Sequence, residues 1–298
     1  MSSTATDTPT CAAARPVSSP PRARLPSGSC DTHFHVFGPS ARYPLDPRRS
    51  YTPHVSTLDD YRAVMRACGI DRAVLVQPSV YGNDNTCLLD ALRAGGGAFR
   101  GVAVPAANAS DDELAAMHAL GVRGVRLNLV NPQVLGVAEG IALCERMAGR
   151  GWHLQLHVEM GKPESAGLVE RLVATTRLTI VVDHMGRPVD GKAPGRLLDL
   201  LASGRVWVKL SAAYRVSHEG GPGYADVLPI VRSLCAANPE RLVWGSDWPH
   251  VELAARMPDD ADLVDLLAEW FPDPDTRRRV CVDNPARLYG FAPDVSPA

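Results

Sequence analysis

The sequence predicts an α/β protein of the (β/α)8 barrel class, and three observations lead there. From about Gly28 onward, short runs rich in Val, Ile and Leu alternate with segments of helical period, eight of each over roughly 260 residues. No Gly-x-Gly-x-x-Gly follows the first run, as an open doubly wound sheet built for a dinucleotide would require. Polar residues gather at the ends of many different strands, which is how a barrel assembles a site. The chain has 298 residues, 45% of them hydrophobic, enough to bury one large core. Lys and Arg number 31 against 33 Asp and Glu, so the formal charge of −2 gives no electrostatic reason to expect a nucleic-acid or polybasic membrane partner. No apolar run approaches the ~20 residues of a spanning helix. Seven cysteines without a Cys-x-x-Cys pair fit buried thiols in a reducing, cytoplasmic compartment.

Residues 1–27 are rich in Ser, Thr, Pro, Ala and Arg and poor in large apolar side chains, so the expectation is a disordered extension ahead of a single barrel domain over 28–298. The stretch lacks the apolar core of a secretory signal. An organelle transit peptide is the competing reading, because acids are scarce in it. The strand candidates then follow in order. Cys30–Phe37 leads to a helix over Leu58–Cys68 that Gly69 closes, and Arg72–Gln77 leads to Thr86–Ala94. Arg100–Val104 precedes Asp111–Leu120, which Ser110 and Glu113 open as a capping box and Gly121 ends. Gly124–Leu129 precedes Ala138–Gly149, and His153–Val158 precedes Glu164–Ala174. Thr179–Asp183, Val206–Leu210 and Leu242–Gly245 complete the strands, followed by helices over Arg196–Ala202, Tyr224–Ala237 and Ala261–Phe271.

The chemistry sits at the strand ends. Alternation puts His33 and His35 of strand one on the same face, which in a barrel is the interior. Strand five carries His153, Gln155 and His157 on one parity. His157 lies nearest the carboxyl end, where barrel sites are built, and His153 reads as a deeper core histidine. Strand six is apolar until it delivers His184, and strand eight ends in Asp247, on the inward parity of Val243 and Gly245. Asp247 alone could be only a helix cap or an Asx turn. Together, His33, His35, His157, His184 and Asp247 converge from four separate strand ends. In strand four Arg126 shares its parity with Asn128, and an arginine there suits a substrate carboxylate. Arg187, in the turn after His184, is another candidate; for each arginine a structural salt bridge is the alternative. Trp244 and Trp248 read as packing residues, and His250 as a partner of Asp247 or a helix cap.

This constellation, with the stretches CDTHFHVFGP, VVDHMGRP, VWGSDWPH and DNPARLYGF, resembles the amidohydrolase superfamily over about Gly28 to Phe291. Within it, the likeness is to the branch of 2-pyrone-4,6-dicarboxylate lactonases and 4-sulfomuconolactone hydrolases. The resemblance implies a lactone hydrolase with Asp247 as general base, His33, His35 and His184 as catalytic partners, and substrate contacts from Arg126, Arg215, Tyr51 and Ser79, with Arg187 beside them. A carboxylate beside a water-filled site can take a proton from attacking water. A divalent metal, with zinc the favoured ion, held by His33, His35, His157 and Asp247 would acidify that water and polarise the carbonyl. His184 would then ligate too, or donate to the carbonyl oxygen.

Two departures bear on that reading. The pyrone dicarboxylate lactonases look metal-independent and carry a tyrosine at the position of His157, so the imidazole here restores a metal-ligand type. The competing reading leaves His157 as a donor to substrate and Asp247 working alone. The arginine that reads the second carboxylate after strand four is missing from Leu129-Val130-Asn131-Pro132. The expected partner is therefore a small anionic lactone with one carboxylate and a different second group, such as a sulfonate or hydroxyls. The competing activities are non-oxidative decarboxylation of an aromatic or muconate-like acid on the same scaffold, and a non-catalytic barrel that binds a small anion.

Overall fold

In the computed structural model, which describes residues 8–131, 134–188 and 190–292, eight parallel strands pair in sequence order, β1 to β8. They are β1 (Cys30–Phe34), β2 (Arg72–Val76), β3 (Phe99–Ala103), β4 (Val122–Asn128), β5 (His153–His157), β6 (Ile180–Val182), β7 (Val206–Ser211) and β8 (Leu242–Gly245). The ring closes where β1 meets the segment after β8. There the Asp247 N–H donates to His33 O at 2.8 Å and the His35 N–H to Trp248 O at 2.8 Å. The seam of the barrel thus runs through three of the expected site residues.

Helices α1 (Leu58–Cys68), α2 (Thr86–Gly95), α3 (Asp111–Ala119), α4 (Val137–Arg146), α5 (Pro163–Thr175) and α6 (Gly195–Ala202) cover the outside. The short α7 (Ala213–Val216), then α8 (Leu228–Ala237) and α9 (Asp260–Trp270), complete the ring. The capping box of Ser110 and Glu113 opens α3 as expected, and Thr57 with Asp60 builds a second one at α1.

Two differences from expectation have physical causes. β1 ends at Phe34 rather than Phe37, and its register with β2 breaks between Asp31 and Phe34. Asp31 is the reason. Its buried carboxylate accepts from the His33 N–H at 3.0 Å, the Ser246 N–H at 2.9 Å, Ser246 Oγ at 2.5 Å and Tyr61 OH at 2.8 Å, tying β1, α1 and the segment after β8 together. Burial raises this carboxyl to a pKa of about 6, against the hydrogen bonds that lower it. The break lets Cys30, which packs with the interior valines Val74, Val76 and Val102, and then His33 both face inward.

The second difference is the amino-terminal extension, whose first seven residues lie outside the described ones. Residues 8–27 pack along the barrel rather than extending free of it. Cys11 is buried, Ser18 Oγ donates to Asp259 at 2.5 Å, and the Ala23 N–H donates to Asp265 at 2.8 Å. Composition missed this because the anchors are backbone and polar bonds together with a few scattered apolar side chains, Cys11, Ala14, Val17 and Leu25, rather than a continuous apolar face.

Beyond α9, the helices α10 (Pro274–Arg278) and α11 (Asn284–Tyr289) were not expected from periodicity, being too short to show it. Leu288, Tyr289 and Phe291 join Val74, Val181, Trp207 and Val243 in the interior core and plug the amino-terminal end of the barrel. Asn284 Nδ2 fixes the plug by donating to Leu242 O at 2.7 Å. All seven cysteines are free thiols. Among the described residues no helix is long and apolar enough to cross a membrane.

Candidate active site

The site lies at the carboxyl end of the strands and is centred on Asp247, whose two carboxylate oxygens have different surroundings. Oδ2 accepts from Tyr214 OH at 2.6 Å and from Arg215 Nε at 3.2 Å. Oδ1 faces three imidazoles, 3.5 Å from His33 Nε2, 3.6 Å from His35 Nε2 and 3.9 Å from His184 Nε2. One oxygen is anchored and the other is presented to the cavity.

Each imidazole is oriented from behind through Nδ1. That of His35 lies 2.7 Å from Val76 O, an acceptor only, so it carries the proton and leaves a lone pair on Nε2. His184 Nδ1 lies 2.8 Å from Ser211 Oγ. His33 Nδ1 lies 3.4 Å from Asp183 Oδ1. Burial pushes His33 well below the usual imidazole range and takes His184 down to about 4, so both are neutral at pH 7. Burial alone would raise Asp247; the surrounding His184 and His35 imidazoles and the Arg215 cation outweigh it and hold the carboxyl well below the usual range. Tyr214 is pushed up by burial and remains a donor.

The backbone is specialised here. His184, Met185, Gly186 and Arg187 all have positive φ, as do Asp247 and His250, in a region that side chains with a Cβ rarely adopt. Such conformations persist only where the surroundings hold them, and they aim His184 and Asp247 at one point. Gly245 permits the closeness of the seam, because a Cβ there would stand 2.7 Å from His33 Cβ and 2.8 Å from its backbone nitrogen.

The other expected residues divide. Arg126 is buried, donates from Nη1 to Gln77 O at 2.9 Å, and lines a cavity over the ends of β2 to β4 with Ser79, Asn128 and Asn131. Tyr51 is buried close to Arg126, Arg215 and Glu252. Arg215 turns inward: besides Asp247 it reaches Glu252 at 2.8 Å and Val251 O at 2.5 Å, so it braces the Asp247 carboxylate. Arg187 contacts His157 Nε2 at 3.4 Å and Glu159 at 3.9 Å.

The ligating geometry differs from the expected metal quartet of His33, His35, His157 and Asp247. The group whose donor atoms all lie within 4.8 Å of one another is His33, His184 and Asp247. His157 and His35 fall outside that group: His157 Nε2 faces Arg187 at 3.4 Å, whereas His35 Nε2 lies 3.6 Å from Asp247 Oδ1 at the group's edge. His153 is a core residue as expected, its ring edge-on to Tyr289. His250 lies 3.2 Å from Asp260 and packs against Tyr214.

A family model described as Amidohydrolase matches residues 30–291, nearly the whole barrel. The chain belongs to the amidohydrolase family. It is 41% identical to a 4-sulfomuconolactone hydrolase of Rhizobium radiobacter over 95% of this chain and 96% of that protein. It is 37% identical to a 2-pyrone-4,6-dicarboxylate hydrolase of Comamonas testosteroni, covering 91% and 93%. A crystal structure from Agrobacterium tumefaciens superposes with a TM-score of 0.79 at 30% identity, over 92% of this chain and 99% of that one.

For an amidohydrolase, two buried imidazoles and a carboxylate fit a divalent ion, and His33 Nε2, which faces Asp247, lacks a hydrogen-bond partner. Sequence reasoning missed Tyr214 and Asp183. Tyr214 adjoins Arg215 in chain order, but nothing in the sequence shows that its hydroxyl reaches Asp247. Asp183 precedes His184 and is buried among His33, Gln155, Arg126 and Lys209, with Gln155 Nε2 donating to it at 3.2 Å. Its inward parity with Val181 was the available signal.

Proposed function

We propose that this amidohydrolase opens a small anionic lactone, of the muconolactone or pyrone-carboxylate type, by attack of water with Asp247 as general base. The observation that carries the reading is the asymmetry of that carboxylate. With Oδ2 held by Tyr214 and Arg215, Oδ1 is free to take a proton from water in the space bounded by His33, His35 and His184. The water oxygen adds to the ester carbonyl, and charge develops on the carbonyl oxygen, where neutral His184, with Ser211 donating to its Nδ1, can donate from Nε2. The ring C–O bond then breaks and the leaving oxygen takes up the proton, giving a ring-opened acid. Arg126, with Ser79, Asn128 and Asn131 around it, is suited to hold the substrate's carboxylate by its forked donors, and Tyr51 stands at the same side.

His33, His184 and Asp247 are the residues suited to hold a metal, and a zinc ion there would supply Lewis-acid polarisation of the carbonyl. Mixed amides and a single arginine around the cavity favour a second substrate group that is not a carboxylate. The names of the relatives support a lactone as substrate. Purified protein should be offered lactones bearing carboxylate, sulfonate or hydroxyl groups, with ring opening followed by absorbance and acid release. One equivalent of acid per lactone is expected. Release of CO2 from an aromatic or muconate-like acid would instead support a decarboxylase, and tight binding without turnover a binding barrel.

A further inference from the structure

We infer that the amino-terminal strap is a working part of the site: residues 9–12 stitch the loop carrying Tyr51 to the loop carrying Glu252 and, through Glu252, hold Arg215 against the base. The inference rests on the assignment of Asp247 as that base. On one side Thr10 pairs with Thr52: the Cys11 N–H donates to Thr52 O at 2.9 Å, and the Thr52 N–H to Pro9 O at 2.8 Å. On the other side the Ala12 N–H donates to Leu253 O at 2.8 Å, and Cys11 Sγ accepts from the Glu252 N–H at 3.2 Å. The strap therefore bridges segments that follow β1 and β8, the two strands whose meeting closes the barrel.

Glu252 is where the strap meets the chemistry. Its backbone has a φ of 63°, a left-handed conformation that a non-glycine residue keeps only when its neighbours enforce it. Its carboxylate accepts from Arg215 Nη1 at 2.8 Å, and Arg215 Nε lies 3.2 Å from Asp247 Oδ2. The chain of contacts thus runs from the strap through Glu252 and Arg215 to the anchored oxygen of the base. Further along, Ser18 on Asp259 and Ala23 on Asp265 moor the strap to α9 and the turn before it. Glu252 is a positioning residue in this scheme, and the strap sets its place.

The test uses full-length Ala12→Pro, which removes the donor to Leu253, Ala12→Gly, which keeps it, Glu252→Gln, and the Ala12→Pro/Glu252→Gln double variant. Ala12→Pro and Glu252→Gln should each lower kcat about tenfold with KM changed less than about twofold, as expected for an interaction expressed in the transition state. Ala12→Gly should restore turnover. Because both changes cut one chain of contacts, the double variant should lose no more than about twofold beyond the worse single. Unchanged kcat in Ala12→Pro, or losses that multiply to about a hundredfold in the double variant, would overturn the proposal. Amide exchange at Thr52 and Glu252 reads the strap without any substrate and should quicken in Ala12→Pro. If the unaltered chain opens no lactone, the lactonase reading fails alone. Unchanged exchange at both amides overturns the strap's role whatever the activity.

Discussion

At the scale of single residues, the account turns on how one carboxylate is held. Asp247 has one oxygen fixed by Tyr214 and Arg215 and one facing His33, His35 and His184. Tyr214→Phe removes a donor without changing the ring, so kcat should fall about tenfold while KM and the circular dichroism spectrum stay close to the starting protein's. Steady-state kinetics on the best lactone check this, and an unchanged kcat would show that the phenol does not orient the base. Alternation along β-strands made His33, His35 and Asp247 legible in the sequence, and a place at the end of an apolar run made His184 legible, because parity and position at a strand end are local properties. Tyr214 and Asp183 were not legible as site residues. Their roles depend on which side chains face one another across the barrel, and spacing along the chain does not report that. His157 shows the same limit, since its strand position was read correctly but its neighbour Arg187, which occupies its Nε2, is set by a left-handed turn.

At the scale of elements, all eight strands and the helices between them, apart from the four-residue α7, followed from apolar periodicity, cap residues and terminal glycines. The exceptions are instructive. The register break in β1 depends on Asp31 finding Tyr61 and Ser246, which are distant in sequence, and that break lets Cys30 and His33 both face the interior. Helices α10 and α11 are too short to show a period, yet α11 carries Leu288 and Tyr289 into the barrel floor. The strap escaped notice because hydrogen bonds to the loops beside the barrel's closing seam order it, while its composition resembles that of a free tail.

For the whole molecule, a barrel whose interior is lined with imidazoles should be sensitive to acid. His153 is fully enclosed, neither ring nitrogen has a hydrogen-bond partner, and burial followed by the nearby Lys209 cation takes its pKa down to about 3. Its folded pKa is depressed from an unfolded value near 6.5, so between those values the unfolded chain binds the proton and the folded chain does not. Stability is therefore lost as pH falls from about 6.5 toward 3, by up to about 1.4 kcal/mol per pH unit for this one group. Urea unfolding of His153→Phe at pH 7.5 and pH 5 should show a smaller acid loss than the parent chain. An equal loss would mean that this imidazole is not held neutral. The central claim concerns the molecule's chemistry: Asp247 takes a proton from water and does not itself attack the lactone. A single turnover in 18O-labelled water, with enzyme in excess and both product and the Asp247 peptide weighed by mass spectrometry, tests it most directly. The account predicts one labelled oxygen in the new carboxylate and none in Asp247. Unlabelled product with the label in Asp247 would contradict it.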